Sequence, residues 1–60
     1  MKTLKEYREK AGLSQKDLAE RTGLKQQRYN HYERGRREIP VPIAKKIGEV
    51  LGIHWWDLYE

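Results

Sequence analysis

Cysteine is absent from the 60-residue chain, and with it any disulfide framework, thiolate metal site or cysteine nucleophile. A reducing compartment suits that absence, and a cytoplasmic location is the expectation. No apolar run approaches the length of a signal-peptide core or a membrane span, so no membrane contact is expected. There is no internal repeat, no linker and no glycine-rich phosphate loop. The two histidines supply no complete ligand set; His54 and Asp57, three apart, are half a site at most. Ser14 has no base beside it and reads as a helix cap. Catalysis, a metal and a cofactor are therefore all expected to be missing. The chain reads as a single domain over residues 1–60, with no room for a large small-molecule pocket.

Acidic residues are the second scarcity. Between Arg21 and Arg37 only Glu33 is acidic, against Arg21, Lys25, Arg28, Arg34, Arg36 and Arg37. That window holds more positive charge than the whole chain, whose net charge is +4, so the remainder is slightly acidic. A polyanion binder carries such a cluster, and so does an ordinary solvated surface. Charge leaves both readings open. A domain this short buries only about 60% of its unfolded surface. Its core is worth a few kcal/mol net, and a partner or a dimer would add noticeably to stability.

What is present is a series of short helical patterns. Thr3 and Glu6 form a capping box, and Leu4, Tyr7 and Ala11 recur at helical spacing, giving a helix over about 4–11 that stops at Gly12. Leu13 is expected to tuck inward. Ser14 and Asp17 repeat the capping pattern before a second helix over about 15–22. A third runs over about 26–34 and stops at Gly35. Pro40 and Pro42 suit the start of a fourth, whose apolar face is Val41, Ala44, Ile47 and Leu51 and which ends at Gly52. Gly48 inside it costs about 1 kcal/mol relative to alanine, tolerable where it permits a close contact. The HWWDLY segment closes the chain as a fifth turn or helix. The fold class is all-α, a compact bundle of five short helices.

Residues 15–34, QKDLAERTGLKQQRYNHYER, organise the rest. Leu18 and Ala19 mark the inner side of one helix, and Tyr29 and Tyr32 that of the next. Gly23 sits where a sharp connection needs a positive φ, and Ala19 is small enough for a close crossing. This is the outline of a helix-turn-helix, whose second helix enters the DNA major groove. On a helical wheel Gln27, Asn30, His31 and Arg34 project outward, with Gln26 on the border. Glu33 falls toward the buried side, where an isolated carboxylate is costly. Arg8 is the expected partner, because its planar fork pairs two-to-two with a carboxylate.

The segments LKEYREKAGLSQKDLAERTGL, YNHYERGRR and PIAKKIGEVLGI, with the closing WWDLY, carry a family resemblance. The chain resembles the Cro/CI-type helix-turn-helix (XRE) family of phage and bacterial repressors over nearly its whole length. The resemblance implies a five-helix, lambda-repressor-like DNA-binding domain that binds double-stranded operator DNA, usually as a homodimer. It also implies the ion pair between Arg8 and Glu33. Gln15 matches a family phosphate contact at the start of the second helix, and Gln26 and Gln27 match the start of the recognition helix. A glutamine amide offers the paired donor and acceptor that read adenine. His31 matches a third base-reading position, and Asn30 and Arg28 flank these, within reach of a base edge or a phosphate. Base contacts are thus expected from Gln26, Gln27, Asn30 and His31. Phosphate contacts are expected from Gln15, Lys25, Arg28, Arg34, Arg36 and Arg37.

The departures from the family pattern are specific. Lys25 stands where the family carries a serine or threonine cap, and a cation there sits badly beside the positive helix end, at about 1 kcal/mol; a phosphate contact would offset this. Tyr29 and Tyr32 replace buried aliphatics, and both rings are expected in the core with their hydroxyls at the surface. Trp55 matches a family core position. Trp56 then points elsewhere: with Leu58 or Tyr59 it is the expected homodimer contact, at least on DNA, the alternative being that it lies flat on the fourth helix of its own chain. The pieces Ala-Lys-Lys-Ile and Gly-Ile-x-Trp look most like small regulators of prophages and integrated elements. The functional expectation is a sequence-specific transcriptional regulator, a repressor occupying its operator. An antitoxin or a restriction–modification controller of the same fold, or a protein-interaction adaptor built on it, are the alternatives.

Overall fold

Reciprocal capping starts the first two helices. A computed structural model of the chain describes residues 3–59. The Thr3 hydroxyl accepts the Glu6 backbone N–H at 3.2 Å, and the Glu6 carboxylate accepts the Thr3 N–H at 3.2 Å. Ser14 and Asp17 repeat the arrangement at 3.0 and 3.1 Å. These boxes open α1 (Leu4–Lys10) and α2 (Gln15–Arg21). By contrast α3 (Gln26–Glu33) and α4 (Val41–Leu51) begin at Lys25 and Pro40 with no side-chain cap. A short 3₁₀ helix, Trp55–Tyr59, closes the chain. The described residues form no strand, and the fifth of the expected helices is this 3₁₀ segment rather than an α-helix. α1, α2 and α3 each stop one residue before the expected end, because Ala11, Thr22 and Arg34 serve as their C-caps.

The connection between α2 and α3 is the helix-turn-helix turn. The Gly23 N–H donates to the Glu20 carbonyl at 3.2 Å and the Leu24 N–H to the Ala19 carbonyl at 2.8 Å. This double closure places Gly23 at φ 73°, a left-handed conformation that glycine adopts without a Cβ penalty. It also turns Leu24 back onto the core. The end of α3 is built alike, with the Arg36 N–H on the His31 carbonyl at 2.9 Å and Gly35 at φ 75°. One difference matters. After α1, α2 and α4 the residue following the glycine is Leu13, Leu24 or Ile53, whereas after α3 it is the exposed Arg36.

Leu4, Leu18, Ala19, Tyr29, Tyr32 and Ile47 make the core, with Leu13, Leu24, Ile43 and Leu51 among those packed against it. Two expected members of the inner faces lie elsewhere. Ala11 is exposed at the end of α1, where Arg8 joins Leu4 as the buried residue. Val41 is 44% exposed; at about 100° per residue it sits roughly 90° from the centre of the face made by Ala44, Ile47 and Leu51. Gly48 marks a close approach. A Cβ there would lie 3.0 Å from both the Ile53 carbonyl oxygen and the Trp55 Cα, so the returning chain rests directly on α4.

Candidate nucleic-acid interface

The inner side of α3 is anchored on one carboxylate. Glu33, its side chain 5% exposed, accepts Arg8 Nε on Oε2 at 2.9 Å and Arg8 Nη2 on Oε1 at 3.0 Å. This is the fork-on-carboxylate pairing expected of arginine. Arg8 Nη1 donates further to the Leu13 carbonyl at 2.8 Å. Two more donors reach Glu33: the Tyr29 hydroxyl at 2.6 Å and Gln15 Nε2 at 3.0 Å. Gln15 Oε1 in turn accepts Asn30 Nδ2 at 3.0 Å. The first three helices thus meet at a single charge.

Burial is the largest single influence on Glu33 and works to raise its pKa. The bonds from Arg8, Tyr29 and Gln15 together outweigh it and hold the carboxyl below its ordinary range. The bond to Glu33 raises the Arg8 pKa against the opposing effect of burial. Burial, reinforced by Glu33, pushes the Tyr29 phenol far above its usual value. The Tyr29 hydroxyl therefore does not reach the surface as expected; the ring is fully buried and its oxygen is bonded to Glu33.

On the outer side of α3, Gln26, Gln27 and Arg28 are exposed and His31 is half-buried. Lys25, Gln27, Arg28, His31 and Arg37 line one concavity of about 210 Å³, so Arg37 returns across the α3 exit to stand beside the start of the same helix. Arg34 and Arg36 are exposed just beyond. The face combines amides able to donate and accept at base edges with cations suited to phosphate oxygens. Gln15 and Asn30 differ from these: both are half-buried and joined to each other by their amides.

The 3₁₀ segment presents a separate surface. Side chains three apart eclipse in a 3₁₀ helix, which puts Trp55 and Leu58 on one side and Trp56 and Tyr59 on the other. Leu58 packs against the core and so leaves the expected pairing surface. Trp56 is 55% exposed, stacked flat on His54 at 4.4 Å, and Tyr59 is 42% exposed with its hydroxyl donating to the Ile39 carbonyl. Trp55, expected in the core, is half-buried at its margin. It has Lys45 Nζ 5.7 Å over its ring and the rings of Trp56 and Tyr59 edge-on to it.

Residues 4–55 match the Helix-turn-helix family. The chain belongs to the XRE-type helix-turn-helix family of DNA-binding transcription regulators. It is 36% identical over 59 residues to the "Uncharacterized HTH-type transcriptional regulator YqaF" of Bacillus subtilis (strain 168), covering 98% of this chain and 78% of that protein. An "Uncharacterized HTH-type transcriptional regulator" of Methanothermobacter thermautotrophicus is 40% identical over 53 residues, 87% of this chain and 77% of the relative. No solved structure matches the chain significantly.

Within this XRE-type domain, sequence reasoning missed several polar anchors, the Gln15 amide on Glu33 and the Asn30 amide on Gln15 among them. The Thr22 hydroxyl, buried, donates to the Leu18 carbonyl at 2.8 Å, also lying 3.2 Å from that of Ala19, and so secures the end of α2. Tyr29 as a donor to Glu33 is another; its spacing of four from Glu33 on one helix is the signal that could have found it. Among the described residues no helix is long and apolar enough to cross a membrane, and no group of three or more potential ligands gathers for a metal.

Proposed function

We propose that the protein is a sequence-specific transcriptional repressor of the prophage or mobile-element type, reading operator DNA in the major groove with α3. The observation that carries this reading is the gathering of Gln27, His31, Lys25, Arg28 and Arg37 around one concavity on the outer side of a helix whose inner side is fixed. Gln26 and Gln27 read base edges, His31 adds a third contact one turn on, and the basic residues meet the phosphates. Gln15 keeps an amide N–H beyond its bond to Glu33, which suits a phosphate at the start of α2.

The domain's largest extent is 24 Å, short of the ~34 Å that separates half-sites one DNA turn apart. One copy therefore reads one half-site, and a palindromic operator calls for two. The exposed Trp56 and Tyr59 are the surface through which a homodimer forms on DNA.

Selection of sites from random duplex DNA, followed by affinity measurements at two salt concentrations, tests the reading. A palindrome with half-sites about one turn apart is the expected winner. Gln27→Ala should then lose about 1–3 kcal/mol on that operator and little on random DNA. Arg36→Ala should weaken binding to every sequence and flatten the salt dependence. Equal losses for both variants on all sequences would leave base reading by α3 without support.

A further inference from the structure

His31 is the titratable group on the outer side of α3, and its surroundings carry charge of one sign. It is half-buried and lines the concavity of about 210 Å³ together with Lys25, Gln27, Arg28 and Arg37. Gln27 and Arg28 come from α3, Lys25 from its start and Arg37 from the loop beyond its end. That loop is tied to the same residue, because the Arg36 N–H donates to the His31 backbone carbonyl at 2.9 Å. No carboxylate lines the concavity, and Glu38, next to Arg37, stays outside it. Glu33, the acid of α3, is bonded instead to Arg8, Tyr29 and Gln15 on the inner side. Among the described residues, the side chains of His31, Lys25, Arg28 and Arg37 have no hydrogen-bond or ion-pair partner.

The imidazole can therefore take a proton without breaking any bond of the fold. Histidine is the side chain whose charge ordinarily changes between pH 5 and 8. A neutral imidazole offers one donor, an imidazolium two. Phosphate oxygens and the N7 and O6 atoms of guanine are all acceptors, so the charged form has more to give to DNA. Electrostatics point the same way. Lys25, Arg28 and Arg37 are like charges to an imidazolium, and phosphates that pair with them cancel that opposition. The phosphates then favour a positive charge at His31 in their own right. We propose that His31 enters the DNA complex as an imidazolium, so that binding takes up a proton from solvent and tightens as pH falls through the neutral range. This rests on the operator-binding reading above and adds its regulation by pH. A proton held more firmly in the complex than in the free chain adds affinity that is complete on the acid side and lost as pH rises. Glu33 and Asp17, both held below the ordinary carboxylate range, titrate well below this window.

The test uses the duplex that the wild-type chain enriches from random DNA at pH 7, labelled with a fluorophore that does not titrate near neutrality. Affinity is measured at pH 6 and pH 8 at one salt concentration. The wild type should bind about three- to ten-fold more tightly at pH 6 for each copy bound. His31→Gln, which keeps an N–H for DNA but gains no proton, should bind equally at both. His54→Gln should retain the wild-type ratio, since His54 is stacked on Trp56 and takes no part in the concavity. Calorimetry of the wild type in two buffers of different ionisation enthalpy counts the protons directly and stands even if His31→Gln does not fold. It should show uptake of a fraction of a proton per copy at pH 7. Equal wild-type affinity at both pH values, no proton uptake, or a ratio that persists in His31→Gln or vanishes in His54→Gln overturns the proposal and leaves operator binding standing. A wild-type chain that enriches no duplex overturns operator reading itself, and this proposal with it.

Discussion

From α1 to α3 the chain is held by directional bonds to one carboxylate, whereas from α4 to the closing 3₁₀ helix it is held by close fit. Arg8, Gln15 and Tyr29 all converge on Glu33. Gly48, in contrast, lets the backbone at Ile53 and Trp55 lie on α4, with aromatic edges filling the margin. Apolar contact sets how near two elements lie but discriminates weakly between rotations. Hydrogen bonds with required directions set the rotation itself. On the proposed operator-reading function, the half that has to present particular side chains of α3 outward is the half with the directional bonds.

Removing Arg8 breaks this contrast most severely. Arg8→Ala leaves the Glu33 carboxylate buried without its cation, at a cost of about 3–5 kcal/mol, most of what a domain of this size possesses. Urea titration followed by circular dichroism should show the variant largely unfolded at 25 °C; a midpoint close to wild type would mean that the network is ornamental to the fold.

Acid attacks the same half more gradually. The Glu33 pKa is lower in the folded state than in the unfolded chain. Its contribution is therefore complete above the unfolded value of about 4.3 and is lost as pH falls through the folded value. Asp17, held down by its bonds to Ser14, works in the same direction at the start of α2. Stability measured from pH 6 down to pH 2 should fall below about pH 4. In Glu33→Gln, where enough folded protein remains to measure, most of that slope should vanish.

In the other half, Gly48→Ala gains helix propensity but drives a Cβ against backbone atoms at 3.0 Å. A net loss of about 1 kcal/mol is expected, with tryptophan fluorescence shifting because the 3₁₀ segment is displaced. An unshifted spectrum with raised stability would show that the approach at Gly48 is not tight. The smallest effect has the opposite sign. Lys25→Ser supplies the missing N-cap of α3 and should stabilise the fold by about 1 kcal/mol or less. If Lys25 meets a phosphate, the same change weakens DNA binding and reduces its salt slope by about one.

Features set by neighbours in the sequence were legible from it. Thr3 with Glu6, and Ser14 with Asp17, announce two helix starts because a capping box closes within four residues. The inward direction of Glu33 follows from its place on one helix beside Tyr29 and Tyr32. What surrounds it does not, since Gln15 arrives from another helix and no wheel reports a contact between helices. The sequence accordingly offers Gln15 and Asn30 as DNA contacts and gives no sign that they are also bonded to each other. Trp55 and Leu58 were misallocated because a segment of five residues carries too little periodicity to distinguish its two sides.

The α3 exit lacks the inward apolar residue that follows the other helices, and on the proposed reading this separates binding strength from folding. Residues 34–38 are all exposed, between Glu33 in the network and Ile39 on the core. Ile39 is pinned a second time by the Tyr59 hydroxyl on its carbonyl. A span fastened at both ends and contributing no side chain to the core can change its charge with little disturbance to the core. On the proposed reading, exchanging Arg34, Arg36 or Arg37 would then be a dial on occupancy of DNA in general, while the choice of sequence would stay with the helix before it. Relatives built on this plan are free to diverge in grip at these positions long before they diverge in shape.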